Sequence, residues 1–180
     1  MRFRICLFLC CCLAQAQQAP TTAGIMTGQL KTLRAEIVPL VEAMPAEKIS
    51  FVPPASLGLF EKSRSFLLQA THVAAVNYAV CSAILAEKNP TDMGANENGP
   101  ASIRSKQDAV RYLNESFDYC EKALKTLTAE NFTELVPSPF GQGKMPKGAA
   151  ASIAAWHGFD HYGQMALYAR MNGVVPPASR

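Results

Sequence analysis

The chain has 180 residues, 49% of them hydrophobic, with 17 basic and 14 acidic side chains. That length suits one domain with a real core and is short for two, and nothing in the composition is biased towards disorder. No basic block or basic–aromatic stripe occurs, which argues against nucleic acid as the main partner.

The N-terminus reads as a leader. Arg2 and Arg4 precede an apolar run from Ile5 to Leu13, and Ala14-Gln15-Ala16 has the small-x-small form of a cleavage site. Residues 1–16 are therefore expected to be a signal peptide, with Gln17 opening an exported chain, periplasmic or secreted. The run is far short of the ~20 residues of a spanning helix, so no stable membrane insertion is expected once the leader is gone; an uncleaved anchor is the alternative. Cys10, Cys11 and Cys12 raise lipoprotein attachment, although Phe8-Leu9 lacks the small residue that normally precedes the lipidated cysteine. Cys81 and Cys120 remain beyond the leader. They either form a disulfide in an oxidising compartment or serve as two buried small hydrophobes.

Beyond the leader, four helices are expected. In the first, from about Gly24, Leu30, Leu33, Ile37, Leu40, Val41 and Met44 recur at helical spacing, and Pro45 ends the run. Pro39 is expected to kink or shorten it. Ser56 is the expected N-cap of the second helix, which would run to about Glu87 with Phe60, Leu67, Leu68, Val73, Val76, Val80 and Ile84 inside. Asn89-Pro90 stops it, and residues 89–100 form a loop. Ser105-Lys106-Gln107-Asp108 resembles a capping box for the third helix, whose stripe is Leu113, Phe117, Cys120, Leu124 and Leu127. Residues 128–148 form a long irregular connection. The fourth helix covers about Ala149 to Met171 and ends at Asn172-Gly173. No strand pattern is evident. The fold class is all-α, a four-helix bundle with long connections.

The chain has three histidines, and all lie in helical patterns. His157 and His161 are four residues apart, which places them ~6 Å apart along one helix face. Two imidazoles so spaced can converge on one ion, and His72 on the second helix would supply the third nitrogen. Three neutral nitrogens on one side of an ion leave its other positions to water or substrate, as catalytic sites do. Gln164 shares the face of His157 and His161, while Ser65 and Gln69 share that of His72. These are candidates to hold the ligands or touch substrate. Asp160 is a candidate ligand-orienting group or proton acceptor. Trp156, Phe159, Tyr162 and Tyr168 read as packing residues. Against this stands a plain alternative, in which the three histidines are hydrogen-bonded core residues.

The mature chain resembles the DinB/YfiT-like family of metal-dependent proteins. The likeness is carried by Ala70-Thr71-His72-Val73, by Ser105-Lys106-Gln107-Asp108-Ala109, and by the ending His157-Gly158-Phe159-Asp160-His161-Tyr162-Gly163-Gln164 with Tyr168-Ala169-Arg170-Met171-Asn172-Gly173-Val174-Val175-Pro176-Pro177. The resemblance implies a single DinB-like four-helix domain over residues 17–180. It further implies one divalent ion held by His72, His157 and His161, and a homodimer. Imidazole ligands suit Zn, Ni, Fe or Cu. Some members of that family are thiol S-transferases, so the expected function is a metal-dependent thiol S-transferase or hydrolase acting on a small-molecule substrate. The exported location weakens the thiol reading, because common thiol cosubstrates are cytoplasmic. The alternative is a helical bundle that binds a metal or small ligand without chemistry.

Overall fold

In the computed structural model, residues 19–180 are described. The expected leader and lipoprotein positions lie outside them. Four helices dominate: α1 (Thr22–Ala43), α2 (Phe66–Leu85), α3 (Lys106–Leu124) and α4 (Lys147–Met171). A two-stranded antiparallel hairpin, β1 (Leu135–Pro137) and β2 (Lys144–Pro146), lies between α3 and α4.

The helix starts follow local chemistry. Thr21, Ser65 and Ser105 each cap the helix that follows, accepting hydrogen bonds from the backbone N–H of Gly24, Leu68 and Asp108. Such caps satisfy donors that the first turn leaves unpaired. At α3 the cap is reciprocal, since Ser105 Oγ also donates to Asp108 Oδ2 at 2.6 Å. The stripe read from the sequence, Leu113, Phe117, Cys120, Leu124 and Leu127, is buried throughout. Pro39 neither ends nor shortens α1, which continues to Ala43.

The second helix corrects the sequence reading. Ser56 lies in a short 3-10 turn, Ala55–Leu57, and α2 begins ten residues later at Phe66. Gly58, at φ 145°, breaks the path. The carbonyls of Phe51 and Ile49 then take the N–H groups of Phe66 and Leu67 at 2.9 and 2.8 Å, which fixes the new start. Phe60 consequently stays outside the helix and is only half-buried, and Leu68 is half-buried as well. The hairpin is a second correction. Three residues per strand, each strand ending in proline, give too short an alternation to recognise.

The topology places α1 across the bundle from α2, and α3 across it from α4. α2 packs against α3 and α4, and α1 packs against the same two. Short loops would force chain neighbours to be antiparallel neighbours; the long connections here remove that constraint. They also cover what the helices leave open, so α2 is buried on nearly every side. It is apolar enough to cross a membrane by composition, but 83% of that stretch is buried inside the protein. The α1–α4 contact is close. A Cβ on Gly158 would stand 2.2 Å from Leu33 Cδ2, and Leu33 is fully buried. Cys81 and Cys120 form a disulfide that ties α2 to α3, with Cα atoms 5.2 Å apart. Of the two readings open in the sequence, the bonded one holds.

Two outcomes follow. Gly158→Ala overpacks the α1–α4 seam and should lower stability by about 1–3 kcal/mol in denaturant unfolding. The double variant Cys81→Ala, Cys120→Ala should lose about 2–4 kcal/mol by the same measurement, because the unfolded chain loses its cross-link.

Candidate metal centre

α2 and α4 pack side by side and bring the three histidines together. His72 Nε2 lies 3.2 Å from His157 Nε2, and His161 Nε2 lies 3.1 Å from the same atom. One ligand nitrogen from each histidine lies within 4.8 Å of the others. His72 and His161 are buried, while His157 is half-buried. The i, i+4 spacing on α4 puts His157 and His161 on one face, with ring centroids 4.5 Å apart.

The outer nitrogens of two rings are tied down. His72 Nδ1 donates to the Glu97 backbone carbonyl at 2.8 Å. His161 Nδ1 donates to Gln69 Oε1. Gln69 Nε2 in turn donates to Gln164 Oε1 at 3.0 Å, and Gln164 Nε2 donates to Asp160 Oδ2 at 3.0 Å. A neutral imidazole has one N–H, so His72 and His161 both turn a lone pair towards His157. A cation is the partner that such a donor set stabilises. Nitrogens ~2.0–2.1 Å from one zinc ion in tetrahedral array stand ~3.3 Å apart, and the His72–His157 and His161–His157 separations are close to that. The residues present therefore fit a divalent metal ion.

The carbonyl that orients His72 comes from a strained turn. Asn96 and Glu97, neither of them glycine, take φ values of 55° and 60°. Backbone of that kind costs about 1–3 kcal/mol per residue and persists where surroundings enforce it. Here Arg64 enforces it, with Nε donating to Asn98 Oδ1 at 2.7 Å and Nη2 donating to the Asn96 carbonyl at 2.8 Å. The base of the turn is pinched by Gly99 N–H donating to the Met93 carbonyl at 2.8 Å. Gly94, at φ 65°, lies so close that a Cβ would meet the Gly99 carbonyl oxygen at 1.9 Å.

Each residue singled out in the sequence can now be placed. His72, His157 and His161 come together, and Gln69 and Gln164 join them through hydrogen bonds. Asp160 is exposed and is tied to Gln164. Ser65 does not face the site; its hydroxyl caps α2. Trp156 is 59% exposed, contrary to a packing role, with its ring 6.0 Å from that of His157. Phe159, Tyr162 and Tyr168 pack against the core as expected. Arg64 and Glu97 were not legible. Glu97 acts through its backbone, which carries no residue-type signal. The one hint was the Gly94-Ala95-Asn96-Glu97-Asn98-Gly99 run, whose glycine and asparagine residues favour left-handed turns.

Burial keeps the rings neutral. It lowers the pKa of all three, helped for His157 by the nearby His72 and for His161 by His157, to about 4 and about 3 respectively. The unfolded chain would bind these protons near the ordinary value of about 6.5. Stability from these groups is therefore present above that value and is lost as pH falls through the folded values. The metal-free protein should melt at progressively lower temperature as pH drops from about 6.5 to about 4, and a His157→Gln, His161→Gln double variant should show a shallower decline.

Comparison with known proteins agrees with this architecture. No curated protein matches the chain. A DinB-like protein from Bacillus cereus ATCC 10987 superposes with a TM-score of 0.66 at 16% identity, covering 89% of this chain and 98% of that one. YfiT from Bacillus subtilis, described as a probable metal-dependent hydrolase with an unusual four-helix bundle topology, gives a TM-score of 0.61 at 17% identity, covering 89% and 93%. The family model for the DinB superfamily matches residues 29–165. With three quarters of its length matched, the chain belongs to the DinB superfamily.

Proposed function

We propose that this protein is a metal-dependent hydrolase in which His72, His157 and His161 hold one divalent ion. The observation that carries the proposal is that His157 Nε2 stands 3.1–3.2 Å from the Nε2 atoms of His72 and His161, with two of the Nδ1 atoms tied outward. When bound, such an ion supplies Lewis acidity, lowering the pKa of water and polarising a carbonyl or phosphoryl oxygen. The chain supplies the rest. Glu97 and Gln69 hold the ring planes of His72 and His161, and ligand histidines oriented in this way bind metal more tightly. The core around α2 keeps the imidazoles neutral. Three nitrogens from one side leave the other side open to substrate, next to half-buried His157 and exposed Trp156.

Thiol transfer is the other reaction such a site supports, with the ion favouring a thiolate. The Cys81–Cys120 disulfide favours hydrolysis. Disulfides persist in oxidising compartments and are rare where low-molecular-weight thiols are abundant. The leader pattern in residues 1–16 points the same way, and we place the protein outside the cytoplasm, periplasmic or secreted.

The test is metal analysis of untagged protein beside His161→Ala. The parent should hold one Zn, Ni or Fe per chain, and the variant should hold little. The single tryptophan, Trp156, offers an independent reading. Its ring lies close enough to His157 that adding Ni or Cu to metal-free protein should quench its fluorescence, with the quenching lost in His161→Ala. Equal and negligible metal in both proteins after soaking would return the histidines to the role of core residues. Thiol-independent ester or amide cleavage that a chelator abolishes would support hydrolysis, and turnover that requires an added thiol would overturn it.

A further inference from the structure

The hydrogen-bond chain Asp160–Gln164–Gln69–His161 has a direction, and one end fixes it. An ionised carboxylate only accepts. The Gln164 atom facing Asp160 Oδ2 is therefore the amide nitrogen. That turns Gln164 Oε1 towards Gln69, which must answer with its own nitrogen. Gln69 Oε1 is then the atom against His161 Nδ1, and Nδ1 must carry the proton. The single N–H of the neutral ring is thereby placed on the outer side, and Nε2 is left as a lone pair towards His157. With both amides reversed, Gln69 would offer an N–H to Nδ1. The ring proton would move to Nε2, the nitrogen a metal needs.

The two tied ligands differ in this respect. His72 faces a backbone carbonyl, which has no donor end to turn round. His161 faces an amide, whose two ends are nearly the same shape. Gln69 is 2% exposed, so water does not reorient it, and among the described residues its side chain hydrogen-bonds to His161 and Gln164 alone. Something further out has to choose the direction, and of the four residues in this hydrogen-bond chain Asp160 is the one that carries a carboxylate. The carboxylate sits on α4, four residues before Gln164, and the chain crosses to α2 and back.

We infer that Asp160, through Gln164 and Gln69, sets the tautomer of His161 and so keeps its Nε2 available to a metal ion; this rests on the three-histidine metal site proposed above. Asp160 and Gln164 are then positioning residues rather than groups that touch substrate. Asp160→Asn is the informative change, because an asparagine can present either oxygen or nitrogen to Gln164 and so frees the direction of the chain. Gln69→Glu is its complement, since a carboxylate against Nδ1 accepts whatever lies beyond it.

The experiment reads the tautomer and the affinity separately. Long-range proton–nitrogen spectra of metal-free protein with labelled histidine, at about pH 8 and so above the ordinary histidine range, report which nitrogen of His161 is protonated. Competition titration with Zn reports affinity. The parent should show His161 protonated on Nδ1 alone. Asp160→Asn should show a population protonated on Nε2 and bind Zn about 10–100-fold more weakly. Adding Gln69→Glu to Asp160→Asn should restore both. An Asp160→Asn protein with His161 wholly in the Nδ1–H form and parental affinity would overturn the inference, as would a folded double variant that stays weak. A parent that takes up no Zn would instead remove the metal reading, and the spectra of the metal-free proteins would still decide the relay.

Discussion

Everything at this site depends on burying polar groups in the middle of a bundle. α2 is enclosed on nearly all sides, yet it carries Gln69, His72, Asn77 and Ser82, each at most 4% exposed. A buried polar group without a partner is costly. Ser82 answers this locally, donating to the Tyr78 carbonyl at 2.6 Å, and Asn77 donates to Ser116 on α3 at 3.2 Å. His72 and Gln69 find their partners across the α2–α4 seam and in the turn at Glu97. Gln69 can stay buried on α2 because α4 lies beside it and supplies its partners. The arrangement of helices is in turn what the long connections permit.

Those connections are structural parts of the site. The turn at Ala95–Glu97 points a carbonyl at His72 and holds unfavourable backbone to do so. Arg64, just ahead of the α2 cap, clamps that turn, so the start of the helix and the orientation of its histidine are linked. On the other side, Gly158 lets α4 approach Leu33 at the residue next to His157. Both tightly packed places flank the histidines. A site whose ligand atoms must stay within a few tenths of an ångström needs rigid support of this kind.

Some of this was legible from the chain alone. The stripe of α3 and its Ser105 cap were readable because helix period and capping chemistry are local. The pairing of His157 with His161 was readable for the same reason. The start of α2 was not. Ser56 and Ser65 are both plausible caps, and the choice fell to carbonyls of Ile49 and Phe51 that reach the site only in the folded chain. Trp156 lies in an apolar helix pattern, and only the packing of α4 shows that it faces outward. The hairpin between α3 and α4 is held by pairing between strands too short to announce themselves.

The sequence by itself determined four helices, their approximate limits apart from the start of α2, and three histidines on inward faces, because each of these follows from interactions within a few residues. Only the tertiary structure decided which helices are neighbours, that Cys81 meets Cys120, and that His72 meets His157 and His161. It also decided what holds each ring, a carbonyl from a strained turn for His72 and an amide chain ending at Asp160 for His161. Contacts between residues 25 to 92 positions apart have no period and no local signature. They are set by how whole helices bury their surfaces against one another.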